Sequence, residues 1–591
     1  MKSILDLALD FRRRRAQDQD RALERVRESE SWREEEAAAA RDGAARRMHA
    51  LRLSGQPTVC FGNAVSSRGE SFPVFLSQEE TWGGGHWTVT GATGAGKSFL
   101  AMALLLQRLR HQAGGLVVID MKGELADLFR RIVLPSFIAQ VGAQDPEFAL
   151  ELISKIAVLA PFDERAVPPF QVLRRDPSLT IPEQAHEVAS SFGRTIGRDL
   201  GIIQETVLRY VLQLAIDTGH TLPEVARLLV DDDLRRNALE RTRLEDVRHY
   251  FAVRFPRERI GSVGALLSRL DSLTMYPGLR RMLSTKGMVR FPALLESAIT
   301  IIDLGGAPAG MREVPRFLGQ LFFRKLVRAM FARRLREDGS TPPVNVVADE
   351  FQELLGNDIA GDFAQVLALT RSQRCYLWML FQQAAQVAAT SPTLLSVLQT
   401  NVPFQLMFRA NIEDARHFSH VLPVTGQEVR EATGFPDPRQ PARLLTPEEE
   451  RRALVDLVPR MPDRLYWFWH ARAEYSTLLV RSPHLDLAGM QRQADALSPE
   501  LRAAVARGVV ALEPEIEPVL NAASRADEAR APARETPPPA DGAEPVVAEG
   551  DARTQAASSE GDVTASRPKS AGTTCPSETR PTRRRRGPSL G

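Results

Sequence analysis

The stretch "HWTVTGATGAGKSFLAMALLLQRLR" runs from His86 to Arg110. A short β-type run is followed by a glycine-rich loop, then by a long run of helix formers. This order reads as strand, loop and helix. Gly91 to Ser98 fits G-x-x-x-x-G-K-[ST]. Glycines let backbone N–H groups turn inward onto phosphate oxygens, and a helix N-terminus adds partial positive charge. Lys97 would reach the β- and γ-phosphates of ATP, and the Ser98 hydroxyl would hold Mg²⁺. The candidate nucleotide-binding set is Gly91, Thr93, Gly94, Ala95, Gly96, Lys97, Ser98 and Phe99.

Such a loop needs a carboxylate from another strand. "VNVVADEF" supplies Asp349 and Glu350 after a β-type run. Asp349 would complete the Mg²⁺ shell, and Glu350 would orient and activate the attacking water. The second acid suits a hydrolase better than a small-molecule kinase. About 250 residues separate Lys97 from Asp349, far more than in a small GTPase, and no N-K-x-D motif is present. The L-S-G-G-Q motif of transporter ATPases is missing between the two sites; the nearest match, Leu53 to Gln56, precedes the loop.

Around these motifs, short apolar runs alternate with helical segments. "GGLVVIDMKGEL", "KIAVLAPF", "AITIIDLGG", "CYLWMLFQQ" and "FQLMFRAN" read as further strands. Strands alternating with helices predict an α/β fold with a parallel sheet. "RLYWFWHARAEYSTLLVRS" reads as an antiparallel hairpin closing it. Six segments follow. Residues 1–56 form a charged helical segment, either docking on protein or lying on a membrane surface. Residues 57–170 and 298–485 form the two parts of the α/β core. Residues 171–297, helical in period, form an inserted all-α domain, 486–520 a helical extension, and 521–591 a disordered tail poor in aromatics.

Composition narrows the function classes. The 591 residues carry a net charge of +2, so nucleic-acid binding would have to come from local patches. Three cysteines, Cys60, Cys375 and Cys575, are too scattered for a zinc site or a disulfide scaffold and fit a reducing cytoplasm. No apolar run approaches the roughly 20 residues that cross a bilayer. The N-terminal "MKSILDLALDFRRRR" lacks the order of a secretory signal, its charge following its apolar part.

From residue 57 to 485 the order of elements resembles the HerA/FtsK branch of P-loop ATPases, and within it the type IV coupling proteins of the TraG/TraD kind. The run Asp120 to Glu124, D-x-K-G-E, is the more specific part of that likeness. The resemblance implies a RecA-like core and a DNA-dependent ATPase built as a homo-hexamer. It implies single- or double-stranded DNA as cargo, and a relaxase or type IV secretion channel components as partners. It also implies two more site residues. Gln382, with Gln383 as alternate, would sense the γ-phosphate. Arg371, with Arg374 second, would reach the nucleotide of a neighbouring subunit. Asp120 and Glu124 either face the nucleotide crevice or serve to stabilise their loop or contact a neighbouring subunit.

Membrane-anchored coupling proteins begin with transmembrane helices, which this sequence lacks. A cytoplasmic location is therefore expected, either free or peripheral at the inner membrane through another subunit. Two other readings stand: a HerA-like helicase or translocase working with a nuclease in repair or phage defence, and an ATP-switched scaffold that recruits secretion substrates. The basic clusters of the helical insertion and Arg583 to Arg586 either contact DNA or are solvated surface.

Overall fold

Strand β3, Trp87–Thr90, is buried at every position and lies inside an eleven-stranded sheet ordered β2-β1-β13-β12-β9-β3-β8-β7-β4-β6-β5. The other strands are β1 (Thr58–Val65), β2 (Ser71–Ser77), β4 (Leu116–Asp120), β5 (Ile156–Leu159), β6 (Ile299–Asp303), β7 (Val344–Asp349), β8 (Cys375–Phe381), β9 (Phe404–Phe408), β12 (Leu465–His470) and β13 (Leu478–Arg481). A separate two-stranded ribbon pairs β10 (Val429–Arg430) with β11 (Arg443–Leu444). The computed structural model describes residue 43 and residues 46–509, apart from 49, 52, 66–70, 112–113, 165, 196–199, 309–312, 356–362, 392, 425–428, 431–442, 445 and 472–476. These residues belong to one compact unit. The expectations for the first 42 residues, for 510–520 and for the tail 521–591 lie outside the described residues.

From β9 to β5 all neighbouring strands are parallel. Parallel strands covered on both faces read as unbroken apolar runs, which is the pattern of "LVVI", "ITII" and "VNVV". Alternate residues of β4 face opposite ways: Val117 and Ile119 join one core, Leu116 and Val118 the other. The rest of the sheet is antiparallel. The β12–β13 hairpin does not close the sheet, because β13 goes on to pair with β1, and β1 with β2. An N-terminal hairpin thus forms the true edge.

The helix Lys97–His111 packs on one face. Its Arg108, 2% exposed, donates to Asn345 Oδ1 at 2.9 Å and to Pro343 O at 3.1 Å. Asn345 is fully buried within β7, and its amide donates to Trp82 O at 3.0 Å. A polar residue inside a buried strand is tolerated because every such bond is made.

Between β5 and β6 the described chain is helical, from Ile181–Thr195 to Phe291–Glu296. Its apolar side chains merge with the other face of the sheet into one core, through Phe192, Phe317 and Phe322 among others. The long helix Glu313–Phe331 carries the last two.

Candidate functional site

Parallel pairing brings the motifs to one edge. Thr90 is in register with Phe381, Asp120 with Asp349, and Asp120 with Asp303. The glycine loop, Gln382, Glu350 and Lys122 all follow these residues, so they gather at the carboxyl ends of the strands. That is where open α/β sheets bind ligands.

Gly91, Gly94 and Gly96 take φ of 150°, 76° and 113°. At Gly91 a Cβ would sit 2.6 Å from Phe408 Cβ, so only glycine fits beside β9. Lys97 opens the helix, and its ammonium donates to Gly91 O at 2.6 Å and Ala92 O at 3.2 Å. Burial lowers its pKa, with Asp349 and Glu350 opposing. Ser98 and Phe99 follow, half-buried, while Thr93 is exposed at the tip.

Glu350 is the centre of the cluster. Its backbone is left-handed at φ 51°, an uncommon state for a non-glycine residue. Its carboxylate accepts from the Gln382 amide and from the Lys122 ammonium on Oε1, and from the Gln352 amide on Oε2 at 2.7 Å. The Thr93 hydroxyl in turn donates to Gln382 Oε1 at 2.9 Å. A continuous chain therefore links the tip of the glycine loop, through Gln382, to Glu350. Gln383 instead begins the helix Ala384–Thr390 and is exposed.

Asp349 is nearly buried, and its carboxyl is pushed up to about 7 by burial, then by Asp120 and Glu350, with Lys97 opposing. Asp120 is fully buried and accepts two backbone N–H groups of its own loop, from Lys122 at 2.9 Å and Ala126 at 2.8 Å. Of the roles open for Asp120, these contacts are those of a loop anchor. Glu124 is exposed at the start of Glu124–Leu128. Burial would lower the Lys122 ammonium, but Glu350, Asp349 and Glu124 outweigh it and raise its pKa.

Arg371 is not brought to this edge. It ends the helix Phe363–Ser372, exposed, just before β8 begins, whereas Gln382 follows the end of β8. Arg374, at φ 55°, lies on the same far edge beside Gly83. Neither reaches the glycine loop of its own chain.

Sequence reasoning missed Lys122, Gln352 and Arg464. The first stood inside a motif already singled out; the others carry no local signal. In the helical insertion several basic residues are paired locally: Arg236 with Asp233 at 3.3 Å, Arg254 with Glu258 at 2.8 Å, and Arg259 with Asp232 at 3.7 Å. Arg583 to Arg586 lie outside the described residues.

Residues 59–314 match the family model for the central domain of the helicase HerA. The match takes in the glycine loop and the D-x-K-G-E run and bears out the HerA/FtsK-type resemblance; it ends before β7. Among solved structures, VirB4 of Thermoanaerobacter pseudethanolicus is similar at 14% identity, over 74% of this chain and 98% of that one, with a TM-score of 0.46. The bacterial conjugative coupling protein TrwBdeltaN70 is similar at 14% identity, over 71% and 88%, with a TM-score of 0.45. TrwB in complex with ADP and Mg²⁺ is similar at 14% identity, over 69% and 87%, with a TM-score of 0.42. No curated protein matches in sequence. Among the described residues no helix is long and apolar enough to cross a membrane.

Proposed function

We propose that the chain is a ring-forming, DNA-dependent ATPase that moves DNA, serving as a coupling protein of conjugative transfer or type IV secretion. ATP is its substrate and Mg²⁺ its cofactor. The observation that carries the ATPase reading is the junction at Glu350, where the glycine loop, β7 and β8 meet through Thr93 and Gln382.

The residues fit the metal. Ser98 offers a hydroxyl and Asp349 a carboxyl, hard oxygen donors of the kind Mg²⁺ takes alongside phosphate and water. The Asp349 carboxyl, crowded by Asp120 and Glu350, is a place where a cation would relieve like-charge repulsion. When bound, Mg²⁺ would supply charge neutralisation at the phosphate oxygens. Lys97 holds the β- and γ-phosphates after leaving the carbonyls of Gly91 and Ala92. Glu350 accepts hydrogen bonds from the attacking water, in a position set by Gln352 and Gln382. Gln382 reports the terminal phosphate to Glu350. Arg371, on the far edge, acts on the nucleotide of the next subunit in the ring.

Movement of DNA is supported by the HerA match, and the coupling role by the Asp120 to Glu124 run. The test is steady-state ATP hydrolysis, alone and with single- or double-stranded DNA, with Lys97→Ala as control. Stimulation by DNA that is absent in the control supports a motor and identifies its strand form. Hydrolysis indifferent to DNA in assembled rings refutes it.

The same family match favours a second reading, a HerA-type helicase paired with a nuclease. Co-purification separates the two: a nuclease partner argues for it, a relaxase or channel component for the first.

A further inference from the structure

Arg464 stands just before β12 in a left-handed conformation, φ 64°, which a long side chain rarely adopts. Its backbone N–H donates to Ala95 O at 2.8 Å, inside the glycine loop. Its carbonyl accepts from Ser482 N at 2.9 Å. The approach to the loop is close: a Cβ on Gly96 would lie 3.1 Å from Arg464 Cα. So the backbone at Arg464 is fixed against the loop from both sides.

The side chain then turns onto Phe99. The Arg464 guanidinium sits 4.0 Å over the centre of the Phe99 ring, one residue beyond Ser98. Arg464 is exposed overall, with Phe99 backing its guanidinium on one side. Among the described residues no carboxylate pairs with it; the neighbouring Asp463 pairs with Arg409 at 2.9 Å. An exposed arginine held this way, rather than left to sample solvent, presents a planar cationic surface on which an aromatic ring can stack.

The sheet order shows what that surface faces. Gln382 and Glu350, at the ends of β8 and β7, mark the side of the loop where the terminal phosphate reacts. On the opposite side of β3 come β9 and then β12. A triphosphate laid along the loop with its reacting end toward β8 trails its base toward β9 and β12. Arg464 and Phe99 are on that side.

We propose that Arg464, backed by Phe99, is the seat of the nucleobase, and that a purine ring stacks on the face of its guanidinium away from Phe99. The proposal rests on the reading of the loop as a nucleotide site, and it adds the residue that distinguishes a nucleoside triphosphate from a bare polyphosphate. Phosphates are held by Gly91 to Ser98; the base is held by Arg464.

The test is calorimetric titration of the full-length protein with Mg²⁺ and either AMPPNP or inorganic tripolyphosphate. Arg464→Ala should weaken AMPPNP binding about 10-fold and leave tripolyphosphate within about twofold, the loss of one stacked base being on this order. Arg464→Lys should lose most of the same affinity, because an ammonium keeps the charge without the plane. Arg464→Gly, which adopts positive φ freely, should match Arg464→Ala. Equal loss of AMPPNP and tripolyphosphate in Arg464→Ala would make Arg464 a phosphate contact and overturn the proposal. Unchanged AMPPNP affinity in Arg464→Gly would overturn it too. Lys97→Ala should weaken both ligands. If neither ligand binds the unaltered protein, the nucleotide reading fails and the proposal with it.

Discussion

The Lys122 ammonium binds the Glu350 carboxylate across the neighbouring strands β4 and β7. The reach is prepared on both sides. Asp120 pins the Lys122 backbone, and the left-handed turn at Glu350 swings its carboxylate toward β4. The D-x-K-G-E run thus gains a physical meaning: its Asp fixes the loop, its Lys meets the acid, and its Gly, at φ 85°, turns the chain into the helix Glu124–Leu128.

Lys122→Met should lower kcat for ATP about 10-fold, equivalent to about 1.4 kcal/mol of barrier, while KM changes little. Lys122→Arg should recover part of the rate, since it restores a cation to Glu350. Steady-state kinetics on both variants checks this. A fall in ATP affinity with kcat unchanged would instead place Lys122 on the nucleotide.

Lys97→Ala should abolish hydrolysis. Glu350→Gln should still bind ATP but turn it over about 10²- to 10⁴-fold more slowly, the range of general acid–base contributions. Nucleotide binding measured beside turnover separates the two. A Glu350→Gln protein with normal hydrolysis would remove Glu350 from the chemistry.

Arg371→Ala should lose turnover yet leave nucleotide binding by each subunit intact, because Arg371 lies at the opposite edge from its own glycine loop. Mixing it with Lys97→Ala subunits should restore part of the activity, since some junctions then pair an intact loop with an intact arginine. No rescue in mixed rings would remove Arg371 from catalysis in trans.

His86 gives a pH-dependent stability. Buried between β3 and β8, it accepts from Leu377 N–H on Nδ1 at 3.0 Å, so its Nε2–H donates to Leu367 O at 2.9 Å. The neutral ring is thus the bonded form, and burial lowers its pKa from 6.5 to about 4. Between those values the unfolded chain binds the extra proton, so stability rises with pH across the window. It is full above about 6.5, and about 3 kcal/mol is lost by pH 4. Urea unfolding at pH 7, 5.5 and 4 should show a smaller loss for His86→Gln than for the parent protein.

Gly305 meets Gly123 so closely that a Cβ on it would lie 2.4 Å from Gly123 Cα. Gly305→Ala should push the loop carrying Lys122 away from Glu350 and lower turnover more than it lowers the melting temperature. An unaltered kcat would show that the loop can shift without cost to the site.

Sequence alone determined what is local. Glycine and lysine spacing identified the phosphate loop, unbroken apolar runs identified the parallel strands, and the Asp349–Glu350 pair closed one of them. Gln382 was legible only through resemblance. Tertiary structure decided what depends on strand order. Parallel register placed Asp120 against Asp349, and so brought Lys122 to Glu350 over more than 200 residues of chain. The antiparallel pairing of β12 with β9 carried Arg464 back to the glycine loop from a still greater distance. Neither contact leaves a periodic trace, because hydrogen bonds and stacking between distant strands depend on register rather than on neighbouring residues.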